Sequence, residues 1–239
     1  MHNLRLHALG LLCASVALSG PALAVPVVFS DSVFNLANYT QTTSVLSADT
    51  SISVTSPSQA LNIVFTETAG GGVFGALDAL LVEMNNGWTY NPSTQGAIAT
   101  IDAQVDKVFS TNAAVGFNNR FRPTILQGGV YYTAVVSGPL LFGPGSVSGT
   151  LSATGLTAND FLSLDPTTQV IGSAHPNFSA GLLQFGLSQF LGATGVANTT
   201  ATIVYDNLAL TLNVPEPASL AILLTGLAGL IGARRVRPA

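Results

Sequence analysis

The chain of 239 residues is short of cysteine, histidine and basic side chains. It has one cysteine, Cys13, and three histidines, His2, His7 and His175. Cys13 lies in an apolar run near the start, so everything after it lacks a thiol, which excludes disulfide cross-links and cysteine-ligated zinc there. His175 stands alone in the long middle region, in Ala174-His175-Pro176-Asn177-Phe178, without a second imidazole for a metal site. No Gly-x-Ser-x-Gly elbow accompanies it, so a hydroxyl nucleophile with a histidine base has no sequence support. Positive charge is scarcer still. Four of the seven lysines and arginines, Arg5, Arg234, Arg235 and Arg237, lie in the terminal segments. Between Val25 and Val214 only Lys107, Arg120 and Arg122 face ten carboxylates, a net charge of −7. Without a basic stripe to neutralise phosphates, nucleic-acid binding is excluded.

The long hydrophobic runs are confined to the two ends. Residues 1–24 read as a signal peptide: a basic start with Arg5, an apolar run from Ala8 to Leu18, and the small-x-small pattern Ala22-Leu23-Ala24, with cleavage expected between Ala24 and Val25. A run of about 11 residues is too short to span a bilayer, which takes about 20. Leu12 before Cys13 stands where a lipoprotein signal carries a small residue.

The other end reads in three parts. Pro215-Glu216-Pro217 comes first, then the charge-free stretch 218–233, then the basic end with Arg234, Arg235 and Arg237. As a helix the apolar stretch reaches about 24 Å against a hydrocarbon core of about 30 Å, enough to hold the protein in the cytoplasmic membrane transiently and too little for a permanent anchor. The arginines would remain on the cytoplasmic side, which places the preceding domain outside the cell. Pro215 and Pro217 are expected to impose an extended, strand-breaking link open to a processing enzyme.

This tripartite tail resembles the PEP-CTERM sorting signal. The resemblance implies an exosortase-type processing enzyme as a partner, cleavage near the Pro-Glu-Pro motif, and a final location at the cell surface or outside the cell, commonly beside exopolysaccharide and biofilm matrix.

With the ends set aside, residues 25–213 form one expected domain and 214–239 the sorting tail. The middle shows no useful helical periodicity. Short alternating or β-branched runs recur between turn residues: Ser44–Thr55, Ala60–Thr66, Val73–Met84, Ala97–Phe109, Arg120–Leu126, Val130–Val136, Ser146–Ala153, Leu182–Phe190 and Thr199–Asn213. Gln127-Gly128-Gly129 predicts a tight hairpin, Asn86-Gly87 a second one, and Thr157 with Asp160 a capped helical turn. Strands without intervening helices imply an all-β fold, an antiparallel β-sandwich of jelly-roll type.

The opening Phe29-Ser30-Asp31 through Asn38-Tyr39-Thr40 and the closing Tyr205-Asp206-Asn207-Leu208-Ala209-Leu210-Thr211 resemble the first and last strands of lectin-like and carbohydrate-binding jelly rolls. That resemblance implies a structural calcium, with Asp31 and Asp206 as the matching positions; no other cofactor is expected.

Two constellations bear on function. Asp102, Gln104 and Asp106 alternate along one strand face, an arrangement seen in some glycosidases, but the outer pair would stand about 13 Å apart where a retaining mechanism needs about 5 Å. The expectation is therefore a non-enzyme. Trp88 and Tyr90, with Arg120, Arg122, Tyr131 and Tyr132 of the central hairpin, are the candidate ligand-binding residues, since their rings are of the kind that stack on a pyranose. The functional expectation is a non-catalytic polysaccharide-associated module. The alternative is a structural or adhesive protein acting by self-association, with a glycosidase-like enzyme third.

Overall fold

The computed structural model describes residues 24–69, 77–113, 116–192 and 194–215. The residues before Ala24, Ala22 among them, on which the expected signal peptide falls, and the tail from Glu216 onward, with Pro217, Arg234, Arg235 and Arg237, lie outside the described residues. Among the described residues no helix is long and apolar enough to cross a membrane.

Among the described residues fourteen strands follow one another: β1 (Ala24–Asp31), β2 (Tyr39–Val45), β3 (Thr50–Thr55), β4 (Leu61–Glu67), β5 (Leu77–Tyr90), β6 (Thr100–Thr111), β7 (Gly116–Gln127), β8 (Val130–Thr133), β9 (Val136–Phe142), β10 (Gly145–Leu156), β11 (Leu162–Asp165), β12 (Val170–Ile171), β13 (Leu183–Gly192) and β14 (Thr199–Pro215). They form two antiparallel sheets. The first runs β10-β6-β14-β4-β3, with β1 also on β14; the second runs β12-β11-β8-β7-β13-β5-β2, with β9 also on β7. The chain crosses repeatedly between the sheets, and its first and last strands pair, so the protein is an antiparallel β-sandwich of the expected class.

The alternation of side chains along each strand sends one set into the space between the sheets. Ile63 and Phe65 from β4, Val105 and Phe109 from β6, Phe185 and Leu187 from β13, and Ile203 and Tyr205 from β14 meet there in one core. Each fully buried aliphatic or aromatic side chain contributes about 1.5–3 kcal/mol. Strand β14 changes phase once. Tyr205 points inward, the register slips at Asp206–Asn207, where Asn207 has φ 50, and then Leu208, Leu210 and Leu212 point inward. One extra residue in a bulge is what keeps both halves of this 17-residue strand apolar on the same face.

A second, smaller core lies on the far side of the second sheet. Leu80, Val82 and Met84 of β5 are buried there with Phe190, beneath Leu164 of β11 and the half-buried Ile171 of β12. The β11–β12 hairpin is tied down by Gln169, whose side-chain amide donates to the carbonyls of Ser44 (3.2 Å) and Asp78 (3.3 Å). This explains why Ala79-Leu80-Leu81-Val82 is continuously apolar: the strand is covered on both faces.

Several local expectations hold. Gln127 pairs with Val130 across Gly128 (φ 58) and Gly129 (φ 83), the positive-φ pair that a two-residue hairpin turn requires. The backbone N–H and hydroxyl of Thr157 both donate to Asp160 Oδ2 at 2.7 Å, capping a single 3-10 turn. Others are corrected. Ser44–Thr55 is not one strand; β2 and β3 belong to different sheets. Asn86-Gly87 is not a hairpin turn. Strand β5 continues through it, and residues 85–88 bulge where Gln184 and Gly186 of β13 face Thr89 and Met84. Pro215 does not break the strand. It closes β14 opposite Ala24, at a strand end where its missing N–H is tolerated.

Candidate functional site

The six residues expected to bind ligand do not form one platform. Strand alternation places Trp88, Tyr90 and Tyr132 inward, where all three belong to the main core. The Trp88 ring stacks on Phe29 at 5.7 Å, and the Tyr90 hydroxyl donates to the carbonyls of Gln95 and Gly96, both at 2.8 Å. Arg122 and Tyr131 lie on the opposite face of the second sheet. The Arg122 guanidinium sits 4.7 Å from the Phe190 ring centre, and burial, with Arg120 beside it, pulls its pKa down to about 10. Tyr131 packs against the second core and borders an open groove of about 590 Å³ with Val130 and Val170. Arg120 has a buried Nε without a partner, while its carbonyl accepts from the Lys107 ammonium.

The calcium expected at Asp31 and Asp206 does not match the geometry. Asp31 shares the inward parity of Val27 and Phe29 on β1, whereas Asp206 lies on the outward face of β14 beside Asp106, so the sheet separates them. Asp31 is already engaged: Oδ1 accepts from the N–H groups of Val33 (2.8 Å) and Phe34 (2.9 Å), and Oδ2 accepts from the Tyr39 hydroxyl (2.8 Å). Among the described residues no group of three or more His, Cys, Asp or Glu stands together.

The carboxylates weighed for catalysis are also engaged. Asp102 accepts from the Gly155 N–H (2.7 Å) and the Asn213 amide (3.1 Å). Asp106 accepts from the Thr150 hydroxyl (2.5 Å) and the Asn207 amide (2.8 Å), bonds that hold its carboxyl below the usual aspartate range. They lace the outer face of the first sheet together. His175 Nδ1 lies 2.9 Å from the Phe161 carbonyl, a loop-fixing contact.

The β5 bulge that stands in place of the expected hairpin shapes an open polar cleft. It projects toward the loop between β1 and β2, and the two enclose about 480 Å³ bordered by Ser30, Asp31, Asn38, Asn85, Asn86 and Trp88. The frame is hydrogen-bonded from within. Asn85 Oδ1 accepts from the Gly87 N–H (2.9 Å), Asn86 Oδ1 accepts from the Thr40 hydroxyl (2.8 Å), and the Asn85 carbonyl accepts from the Gln184 amide (3.0 Å). Asn38 and Asn86 are exposed, so the Asn38 amide and the Asn86 Nδ2 face solvent at the rim. Burial and the hydrogen bond to Asp31 push the Tyr39 phenol well above its ordinary range, so it acts as a fixed donor to Asp31. The cleft offers the side-chain amides of Asn38, Asn85 and Asn86, the Ser30 hydroxyl, and the Asp31 carboxylate, which is already engaged by Val33, Phe34 and Tyr39. Of these residues, sequence reasoning picked out Trp88 as a ligand contact and missed Asn38, Asn85 and Asn86; the Asn-Asn-Gly run was visible but was assigned to a hairpin.

No curated protein sequence matches the chain. Solved structures with related strand arrangements include the CBM22-1–GH10 modules of Clostridium thermocellum xylanase 10B complexed with xylohexaose (7% identity, 77% of this chain, 28% of that chain, TM-score 0.36). Others are the lectin UEA-II complexed with galactose (9% identity, 78% and 98%, TM-score 0.39) and the CBM2 module of the evolved Dit of Lactobacillus casei BL23 phage J-1 (9% identity, 82% and 99%, TM-score 0.40). This chain thus spans 28% of the xylanase chain, and the bound sugars belong to those proteins. At the other end of the chain the outcome is direct: residues 213–236 match the family model of the PEP-CTERM protein-sorting motif.

Proposed function

We propose that the protein is exported, is processed at its C-terminal sorting motif by an exosortase-type enzyme, and acts outside the cell as a non-catalytic module that binds a neutral polysaccharide. The observation that carries the binding reading is the cleft of about 480 Å³ between the β1–β2 loop and the β5 bulge, with open amides at Asn38 and Asn86 and the Trp88 ring at its side. Side-chain amides pair with the donor and acceptor faces of sugar hydroxyls. The net charge of −7 between Val25 and Val214 disfavours acidic polymers and so narrows the ligand to neutral glycans. The test is affinity electrophoresis of the purified protein through gels carrying neutral and acidic polysaccharides, including the producer's own exopolysaccharide. Retardation by a neutral glycan, lost in Asn38→Ala and Asn86→Ala, is expected; migration unchanged by every polymer counts against the reading.

A second reading is self-association at a sheet edge. Strand β10 forms one edge of the first sheet, runs for 12 residues and carries no charged side chain, so the stretch before its irregularity at Ala153–Leu156 lacks the charges that discourage pairing with another chain. Sedimentation at rising concentration separates the readings, because glycan binding requires no assembly.

A further inference from the structure

The cavity between the sheets at one end of the sandwich joins two buried carboxylates. Thr50, Glu67 and Thr199 stand side by side across β3, β4 and β14, in register, and Asp78 approaches from the start of β5 in the opposing sheet. Glu67 is 6% exposed and Asp78 is 7% exposed. Glu67 Oε2 accepts from the N–H (2.9 Å) and hydroxyl (2.6 Å) of Thr194, and an Asp78 oxygen accepts from the Thr50 hydroxyl. Glu67 Oε1 is buried and has no hydrogen-bond partner. The space that Glu67 and Asp78 line together measures about 10 Å³, the room needed for one water-sized occupant.

Charge makes this arrangement incomplete as it stands. A buried carboxylate oxygen without a partner is unfavourable, and a second carboxylate on the same small cavity adds repulsion. Among the described residues no lysine, arginine or histidine lines the cavity. We propose that Glu67 and Asp78 bind one calcium-like divalent cation, which bridges the two sheets, with Glu67 Oε1 and the Asp78 carboxylate as its anionic ligands. The hydroxyls of Thr50 and Thr199 supply neutral oxygens beside them. Two carboxylates match a divalent charge. An all-oxygen donor set excludes the softer metals, and its irregular arrangement suits calcium, which takes flexible oxygen shells, over magnesium, which demands octahedral geometry and gives up its waters reluctantly. The site differs from the pair Asp31 and Asp206 and is independent of the polysaccharide cleft, so its failure leaves the proposed function untouched.

The test uses the full chain in mild detergent, stripped with chelator and then titrated with calcium chloride or magnesium chloride. Calorimetry is expected to show one calcium site per chain, with a dissociation constant of about 10⁻⁴–10⁻³ M if it resembles other extracellular sites. A hundredfold excess over that constant should raise the melting temperature by about 5–10 °C, with little response to magnesium. Glu67→Gln and Asp78→Asn, each nearly isosteric, should abolish the calcium-dependent rise whatever their own baseline. Calcium without heat or melting shift in the unmutated chain, or a full response retained in both variants, would overturn the proposal.

Discussion

The ammonium of Lys107 donates to the side-chain oxygen of Gln189 at 2.9 Å, so the first sheet sends a cation across the core to an amide of the second. Gln189 Oε1 also accepts from the Tyr205 hydroxyl, and the Lys107 ammonium lies 4.9 Å from the centre of the Tyr205 ring. Lys107 is 2% exposed, on the inward face of β6 between Val105 and Phe109. Burial, with the Arg122 guanidinium nearby, pulls its pKa from 10.5 down to about 7.

The sign of the consequence follows from linkage. A depressed folded-state value means that the unfolded chain binds the proton more readily, so the Lys107 contribution is fully present above pH 10.5 and is lost as pH falls through about 7. Stability is therefore expected to rise between those values. Lys107→Met should flatten that rise, measured by urea midpoints from neutral to alkaline pH; an unchanged slope would show that the lysine stays charged in the folded core.

Glu83 gives the opposite slope. It is fully buried on the inward face of β5, neither carboxylate oxygen has a hydrogen-bond partner, and burial pushes its pKa from 4.5 up to about 7. Its contribution is intact below pH 4.5 and is lost as pH climbs through about 7. With Lys107 recovering only above that point, a stability minimum near neutral pH is expected. Glu83→Gln should be more stable than the unmutated chain at pH 8 by an amount on the order of 3 kcal/mol, a gap that closes toward pH 4. Parallel denaturation curves for both proteins at the two pH values check it.

Gly186 holds the β5 bulge against β13. A Cβ at this position would lie 2.0 Å from the Glu83 carbonyl oxygen and 2.8 Å from the Met84 Cα, both backbone atoms that side-chain rearrangement does not relieve. Gly186→Ala should destabilise the fold by about 1–3 kcal/mol or more, read from thermal melting, and should disturb the Asn85–Trp88 cleft on the same bulge. A variant that melts like the parent would show that the strands part easily here.

Trp88 and Asn86 border the same cleft but should fail differently. Trp88→Ala removes a ring stacked in the core and should cost about 3–5 kcal/mol, whereas Asn86→Ala at the exposed rim should leave stability within about 0.5 kcal/mol. Melting curves beside glycan retention distinguish them: loss of retention without loss of stability is expected only for Asn86→Ala.

Much of the architecture was legible because strand periodicity is local. Alternation along Ile101–Phe109, the Gly128-Gly129 turn and the Thr157–Asp160 cap each depend on residues a few positions apart, and each appears where the sequence indicates. The errors arose where a second strand decides the outcome. Met84 and Trp88 look like two arms of a hairpin, yet β13 pairs on both sides of the bulge and keeps β5 continuous. Trp88, Tyr90 and Tyr132 look like a sugar platform as residue types, but only packing determines that they face inward. The short strand β12 and its Gln169 tie carry too few residues for a periodic signal.

The residue inventory by itself determined the β class, the scarcity of thiol, imidazole and positive charge in the middle of the chain, and the sorting motif at its end, because each depends on composition or on neighbours in sequence. Tertiary structure alone decided that Asp31 and Asp206 lie on opposite faces of a sheet, that Lys107 points into the core, and that Glu67 meets Asp78 across the sandwich. The physical reason is that alternation assigns residues to two faces, whereas pairing between distant strands decides which face is the interior and which side chains share a cavity.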